Sequence, residues 1–234
     1  MYNKFNLSSF IIALCIVIAF GFQALLVIHI FNQDSMQDKA MVSMSTALLV
    51  LWVGVCGFII LKTREKIRKR FTSPNFFVLK FFIFAILMCM IEELITTSLT
   101  NTAYLWGLSP YEVYITGSPN YIEVLTKHSL IAFLPQFLCW GIIVSKYDIS
   151  AQNVLIIYGI TGYLNELIAF GIGPNVMSLP FWILVYGLIL YLPAYALKRK
   201  HGLKEPNIAH YILFIVVPII VSIPWILFLH HFIL

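Results

Sequence analysis

Three carboxylates stand where an apolar chain has most reason to avoid them. Glu92 and Glu93 adjoin one another, and Glu166 follows Asn165, each pair set inside a long apolar run. Carboxylates held together can divide acid–base work, one accepting a proton while its neighbour supplies one. His128, at the edge of another apolar run, adds a group that transfers protons near neutrality or ligates a metal. The candidate catalytic set is therefore Glu92, Glu93, His128, Asn165 and Glu166. Glu92 or Glu93 is the expected base, with His128 and Glu166 as partner acid or ligands. Neither H-x-x-x-H nor H-E-x-x-H occurs, so no motif supports a zinc site, and the cofactor stays open.

The elements that must position these residues are membrane helices. Of the 234 residues, 61% are hydrophobic and 11% charged, against roughly 25% charged in an average soluble chain. Apolar runs long enough to cross about 30 Å of hydrocarbon recur along the sequence. The pattern predicts an all-α, polytopic transmembrane bundle in a single domain. Its seven spans fall at about 8–31, 41–61, 74–99, 128–145, 151–170, 179–197 and 208–234. The first run is long for a signal-peptide core and has no convincing cleavage site after it, so it reads as a retained helix. Ser73-Pro74 is the expected start of the third span, and the charge run KTREKIRKR at Lys62–Arg70 reads as a connection.

Charge sets the orientation. Placing the N-terminus inside puts thirteen of the fifteen Lys and Arg residues on the cytoplasmic side: Lys4, the six of Lys62–Arg70, Lys80, Lys146, and the four of Lys198–Lys204. Only Lys39 and Lys127 fall outside, and short-loop basic residues govern orientation. The expected topology is N-terminus cytoplasmic, C-terminus outside, in the plasma membrane. The net charge of +5 then belongs to the loops and calls for no nucleic acid. Membrane lipids, with a lipid-like substrate, are the expected partners; nothing in the sequence sets the oligomeric state. Cys15, Cys56, Cys89 and Cys139 lie in apolar segments without paired spacing and read as buried hydrophobes.

In that topology the polar groups share one depth. At about 1.5 Å per residue, Glu92 lies ~24 Å from the start of its span and Glu166 ~22 Å from the start of its own. His128, His29, His230, His231 and Asn175 belong to the same outer layer. Helical spacing aligns Glu93, Thr97, Thr100 and Asn101 on one stripe, and His128, Ala132 and Gln136 on another. A site built from the third, fourth and fifth spans is the expectation. Each acid costs about 2.5–3.5 kcal/mol near the bilayer centre, so the set must face the bundle interior, a wet cavity or each other. The connection at 100–127, with Tyr104, Trp106, Tyr111, Tyr114 and Tyr121, is expected in the outer interface as an anchor or a lid. Ser109-Pro110-x-Glu112 and Ser118-Pro119 are its expected helix starts.

Three functional classes fit these residues: a membrane-embedded hydrolase or transferase, a small transporter or proton carrier, and interhelical hydrogen-bonding with no chemistry. The adjacent glutamates resemble the EExxxR signature of the CAAX-protease-like intramembrane proteases, a family that places FxxxH and an HxxxN-like motif on later helices. Here Thr97 stands at the Arg position, Val124 at the Phe before His128, and Thr161 at the His before Asn165, and membership is not assigned. A rhodopsin-like reading fails, because the orientation is opposite and the last span has no Lys for a retinal Schiff base.

Overall fold

A computed structural model describes residues 6–170 and 176–232. The side chains at 169, 170, 176, 230 and 232 are not described, and Asn175 and the side chain of His230 lie outside what is described. Among the described residues the fold is helical and has no strand. Seven long helices run at α1 (Leu7–Phe31), α2 (Met36–Arg68), α3 (Phe77–Thr100), α5 (Ser129–Lys146), α6 (Ala151–Phe170), α7 (Leu179–Ala196) and α8 (Ile208–Phe232). A short α4 (Tyr121–Lys127) precedes α5. Five of these, α1, α2, α5, α7 and α8, are long and apolar enough to cross a membrane by length and composition. The two that carry the acids, α3 and α6, are not in that set, so five spans rather than seven stand on this criterion.

Several boundaries differ from the sequence reading. The second helix does not stop at 61 but continues through most of the charge run to Arg68, because Lys, Arg and Glu are good helix formers whose charged tips stay in solvent. A π-helical stretch, Leu49–Cys56, lies in its middle. The third helix starts at Phe77, not at Ser73-Pro74, after Phe76 turns the chain in the left-handed region at φ 55°. Ser109 starts only a turn: Glu112 donates its backbone N–H to the Ser109 carbonyl and returns its carboxylate to the Ser109 N–H at 2.7 Å. The reciprocal cap forms without a helix behind it.

α7 is the axis of the bundle. From Ile183 to Pro193 every residue is buried, which a helix apolar on all sides requires. It packs against α6 most extensively, and also against α1, α2 and α3. The α6–α7 pair closes on glycine. A Cβ on Gly159 would fall 2.4 Å from the Ile183 backbone, and one on Gly187 would fall 2.3 Å from the Leu155 carbonyl. Small residues let membrane helices approach backbone to backbone. Around this axis α5 packs between α3 and α8. Pro135 in α5 cannot donate to the Ile131 carbonyl, and Trp225 of α8 fills that role with its indole N–H at 2.7 Å. On the periphery α1 and α8 present Val17, Leu25, Ile28, Ile212 and Leu227 outward. Such broad exposed apolar faces suit a membrane protein, not a water-facing one.

Candidate functional site: a carboxylate layer at one end of the bundle

Glu92 and Glu93 both lie inside the protein, 6% and 5% exposed. Consecutive residues on a helix point about 100° apart, so both can be buried only because α3 is enclosed on two sides, by α5 and α7. Their surroundings differ. The Glu93 carboxylate accepts from Thr96 at 3.1 Å, one turn along α3, and from Thr116 at 3.0 Å, in the connection. The Ser129 side chain, in the first residue of α5, lies near it. No donor among the described residues hydrogen-bonds the Glu92 carboxylate, whose neighbours include Cys89, Tyr158 and Tyr186. One acid is clamped and the other is left open.

Glu166 comes from α6 and accepts a hydrogen bond from the Tyr186 hydroxyl of α7. Gly162 makes that contact geometrically allowed, since a Cβ there would sit 2.3 Å from the Tyr186 ring. Glu166 lies within electrostatic reach of both Glu92 and Glu93. Asn165 donates to Gln136 of α5 at 3.1 Å, and Gln136 in turn donates to Ser222 of α8 at 3.3 Å. The helices of the expected site thus meet through side chains, although α6 makes its main packing with α7 and not with α3 or α5. α7 is the element that the sequence reading left out.

His128 departs from its expected role. It sits at the break between α4 and α5, with φ −120° and ψ −113°. Its ring lies over Gly117, where an added Cβ would approach Cγ to 2.8 Å. No hydrogen bond joins it to any of the three acids among the described residues, and the contribution of this stretch to Glu93 is Ser129. His29 pairs with Gln33 at 2.9 Å on the surface of α1. Thr97 does not serve Glu93 either: among the described residues its hydroxyl is buried without a hydrogen-bond partner, as are the Tyr158 hydroxyl and the Trp140 indole N–H.

The aromatic connection forms the roof. Asn101 donates to the Pro119 carbonyl at 2.9 Å, Ile115 donates to the Thr100 hydroxyl at 3.2 Å, and Tyr121 donates to the Met90 carbonyl at 2.9 Å. These bonds stitch the connection onto the end of α3. Tyr104, Tyr111 and Tyr114 remain exposed on its outer surface. α4 carries Glu123, whose carboxyl is held below the usual carboxylate range, first by the Ser118 hydroxyl and then by Lys127.

Protein-family models, curated proteins and solved structures offer no match to this chain. Its chemistry must be read from its own residues. Among those described, no three His, Cys, Asp or Glu side chains gather closely enough to hold one metal ion. What the layer offers is one unclamped carboxylate (Glu92), one fixed by hydroxyls (Glu93), and a Tyr–Glu pair (Tyr186 and Glu166). Tyr186, Thr116 and Ser129 were missed in the sequence because hydroxyls in apolar runs and loops have no diagnostic spacing.

Proposed function

We propose that this chain is an integral membrane enzyme, a hydrolase or transferase acting on a lipid or isoprenoid substrate. In this reading α3 and α6 also cross the bilayer, giving seven spans with the N-terminus cytoplasmic, and the carboxylate layer faces the outer half of the plasma membrane. Glu92 is the general base that takes a proton from water or an acceptor alcohol. Glu166, protonated and oriented by the hydrogen bond it accepts from Tyr186, is the proton donor to the leaving group. Glu93, held by Thr96 and Thr116, orients the roof over the site, and Asn165 with Gln136 supplies amide groups to the polar end of the substrate. The single observation that carries the reading is the asymmetry of the acids. An adhesive network gives every carboxylate a donor, whereas a working base keeps its lone pairs for substrate.

A second reading, a small proton-coupled carrier, draws support from Tyr158 and Trp140. Both are fully buried with unpartnered polar atoms, and Tyr158 neighbours Glu92. They extend polar groups from the acid layer toward the middle of the bundle.

Lipid profiles of cells lacking the protein, complemented with wild type, Glu92→Gln, Glu93→Gln or Glu166→Gln, decide between these readings. For an enzyme, Glu92→Gln folds and expresses normally but loses about 100-fold or more in lipid conversion. Proton flux in proteoliposomes without lipid conversion supports the carrier. Full activity in all three amides leaves only the adhesive role.

A further inference from the structure

The opposite end of the bundle carries a second feature, independent of the carboxylate layer. Where α2 ends, α6 begins and α7 ends, a cleft of about 490 Å³ is lined by Arg68, Thr72, Gln152, Lys198 and Arg199. A second cleft, about 710 Å³, runs along α3 and α5 and is walled by Phe76, Phe77, Phe82 and Leu138. Arg199 lines both. One cleft is basic and the other aromatic and apolar, and a guanidinium joins them.

The cations are aimed and not merely present. Arg64 and Arg68 lie over the Tyr195 ring, at 4.6 and 5.7 Å from its centroid, and Arg64 also donates to the Tyr191 hydroxyl. Arg199 is anchored to the Ile149 carbonyl at 2.9 Å and to Asp148 at 3.4 Å. Two acids offset part of this charge: Asp148 on Arg199, and Glu65 on Arg68 at 3.8 Å. Among the described residues no ion pair engages Lys198 or Arg64. Ala151 and Gln152, in the first turn of α6, bring the positive end of that helix to the same cleft.

We infer that this is a binding site for an anionic phospholipid, its phosphate held by Arg68, Lys198 and Arg199 and its acyl chain laid along Phe76, Phe77 and Leu138. Arginine forks suit phosphate oxygens in two-point contacts. A free phosphate uses only the basic cleft, whereas an amphiphile uses both, and Phe76 at 78% exposure supplies a wall that a soluble anion has no use for.

The test is native mass spectrometry of the full-length, delipidated protein titrated with phosphatidylglycerol, with phosphatidylcholine of the same chains, and with glycerol phosphate. Wild type binds phosphatidylglycerol about thirtyfold more tightly than phosphatidylcholine, as two surface cations allow. The Arg68→Gln/Lys198→Gln double variant brings the two lipids near parity, while Lys66→Gln/Lys69→Gln, equal in charge change but off the cleft, keeps the preference. Phe76→Asn, which retains a residue tolerant of positive φ, weakens both lipids and leaves the preference intact. Equal loss in the two charge variants overturns the site in favour of diffuse attraction. Competition by glycerol phosphate at the lipid's own concentration overturns the role of the apolar cleft, as does unchanged lipid affinity in Phe76→Asn.

Discussion

The two ends of the bundle handle charge in opposite ways. At one end the ionic groups are mainly cations at helix termini and in connections, some exposed and loosely paired, as Arg68 and Glu65 are at about 60% exposure, and some anchored to backbone or rings, as Arg199 and Arg64 are. At the other, three acids are drawn inside helices, where the hydroxyls of Thr96, Thr116 and Tyr186 meet Glu93 and Glu166 while Glu92 takes no donor among the described residues. The first arrangement is cheap, and topology alone accounts for most of it. The second is costly at each residue and persists only if its partners are fixed in place. The lesson is that charge outside the helices reports how the chain sits, while charge inside them reports what the chain is built around.

The sharpest way to break the contrast is through glycine. Gly162→Ala puts a methyl group into the Tyr186 ring and so separates Tyr186 from Glu166 without touching the basic end. Overpacking of this kind costs about 1–3 kcal/mol, read as a fall in thermal midpoint together with a loss of activity. An unchanged midpoint means that α6 and α7 sit farther apart than described.

Next in size is the difference between the paired acids. Glu93→Ala strands the hydroxyl of Thr116, while that of Thr96 keeps its backbone acceptors, and loosens the roof. It should destabilise by about 1–3 kcal/mol, as loss of a buried partner does, whereas Glu92→Gln, removing no hydrogen bond, should cost less than about 1 kcal/mol. Thermal unfolding in detergent compares them, and equal losses erase the division between clamped and open acid. Trp52→Phe removes the indole bond to the Val185 carbonyl at 2.9 Å, about 0.6 kcal/mol for an average interhelical bond in a membrane, together with part of a fully buried ring system, and should cost about 1–2 kcal/mol in all. A loss several times larger would show that the π-helical stretch depends on that bond.

The smallest effect concerns pH. The Glu123 carboxyl binds its proton less readily in the folded roof than in the unfolded chain, through Ser118 first and Lys127 second. Its contribution is present above the unfolded carboxyl's range and is lost as pH falls through the lower, folded value. The hydrogen-exchange protection factor across residues 115–127, taken against the intrinsic rate at each pH, should fall on acidification below the usual carboxylate range, and Glu123→Gln should flatten that response. Equal acid sensitivity in both proteins would assign the effect elsewhere.

The helical class and the presence of several long apolar helices were legible in the sequence, since composition and run length report directly on them; the count of seven spans was not, since five helices among the described residues are long and apolar enough. The acids were legible too, because a carboxylate in an apolar run stands out. Their partners were not. Thr116 and Tyr186 become ligands of Glu93 and Glu166 only through tertiary packing, and the central place of α7 follows from contacts that one apolar segment does not announce. His128 looked chemical by type and position, yet the break at its own backbone turns the ring onto Gly117 and presents Ser129 instead. Gln23 was passed over as well: it is buried in α1 and donates to Ser45 at 2.8 Å and to Thr46 at 2.9 Å, joining the first two long helices. A short stripe of Ser and Thr on the partner helix was its only signal.

The enclosed position of α7 also constrains biogenesis. This helix emerges from the ribosome after α1, α2, α3, α5 and α6, yet it packs against four of them and supplies Val185 to Trp52 and Tyr186 to Glu166. Earlier helices can form singly, but their mutual arrangement has no centre until residue 196 is made. A nascent chain halted before that point holds Glu92, Glu93 and Glu166 without the helix that encloses them.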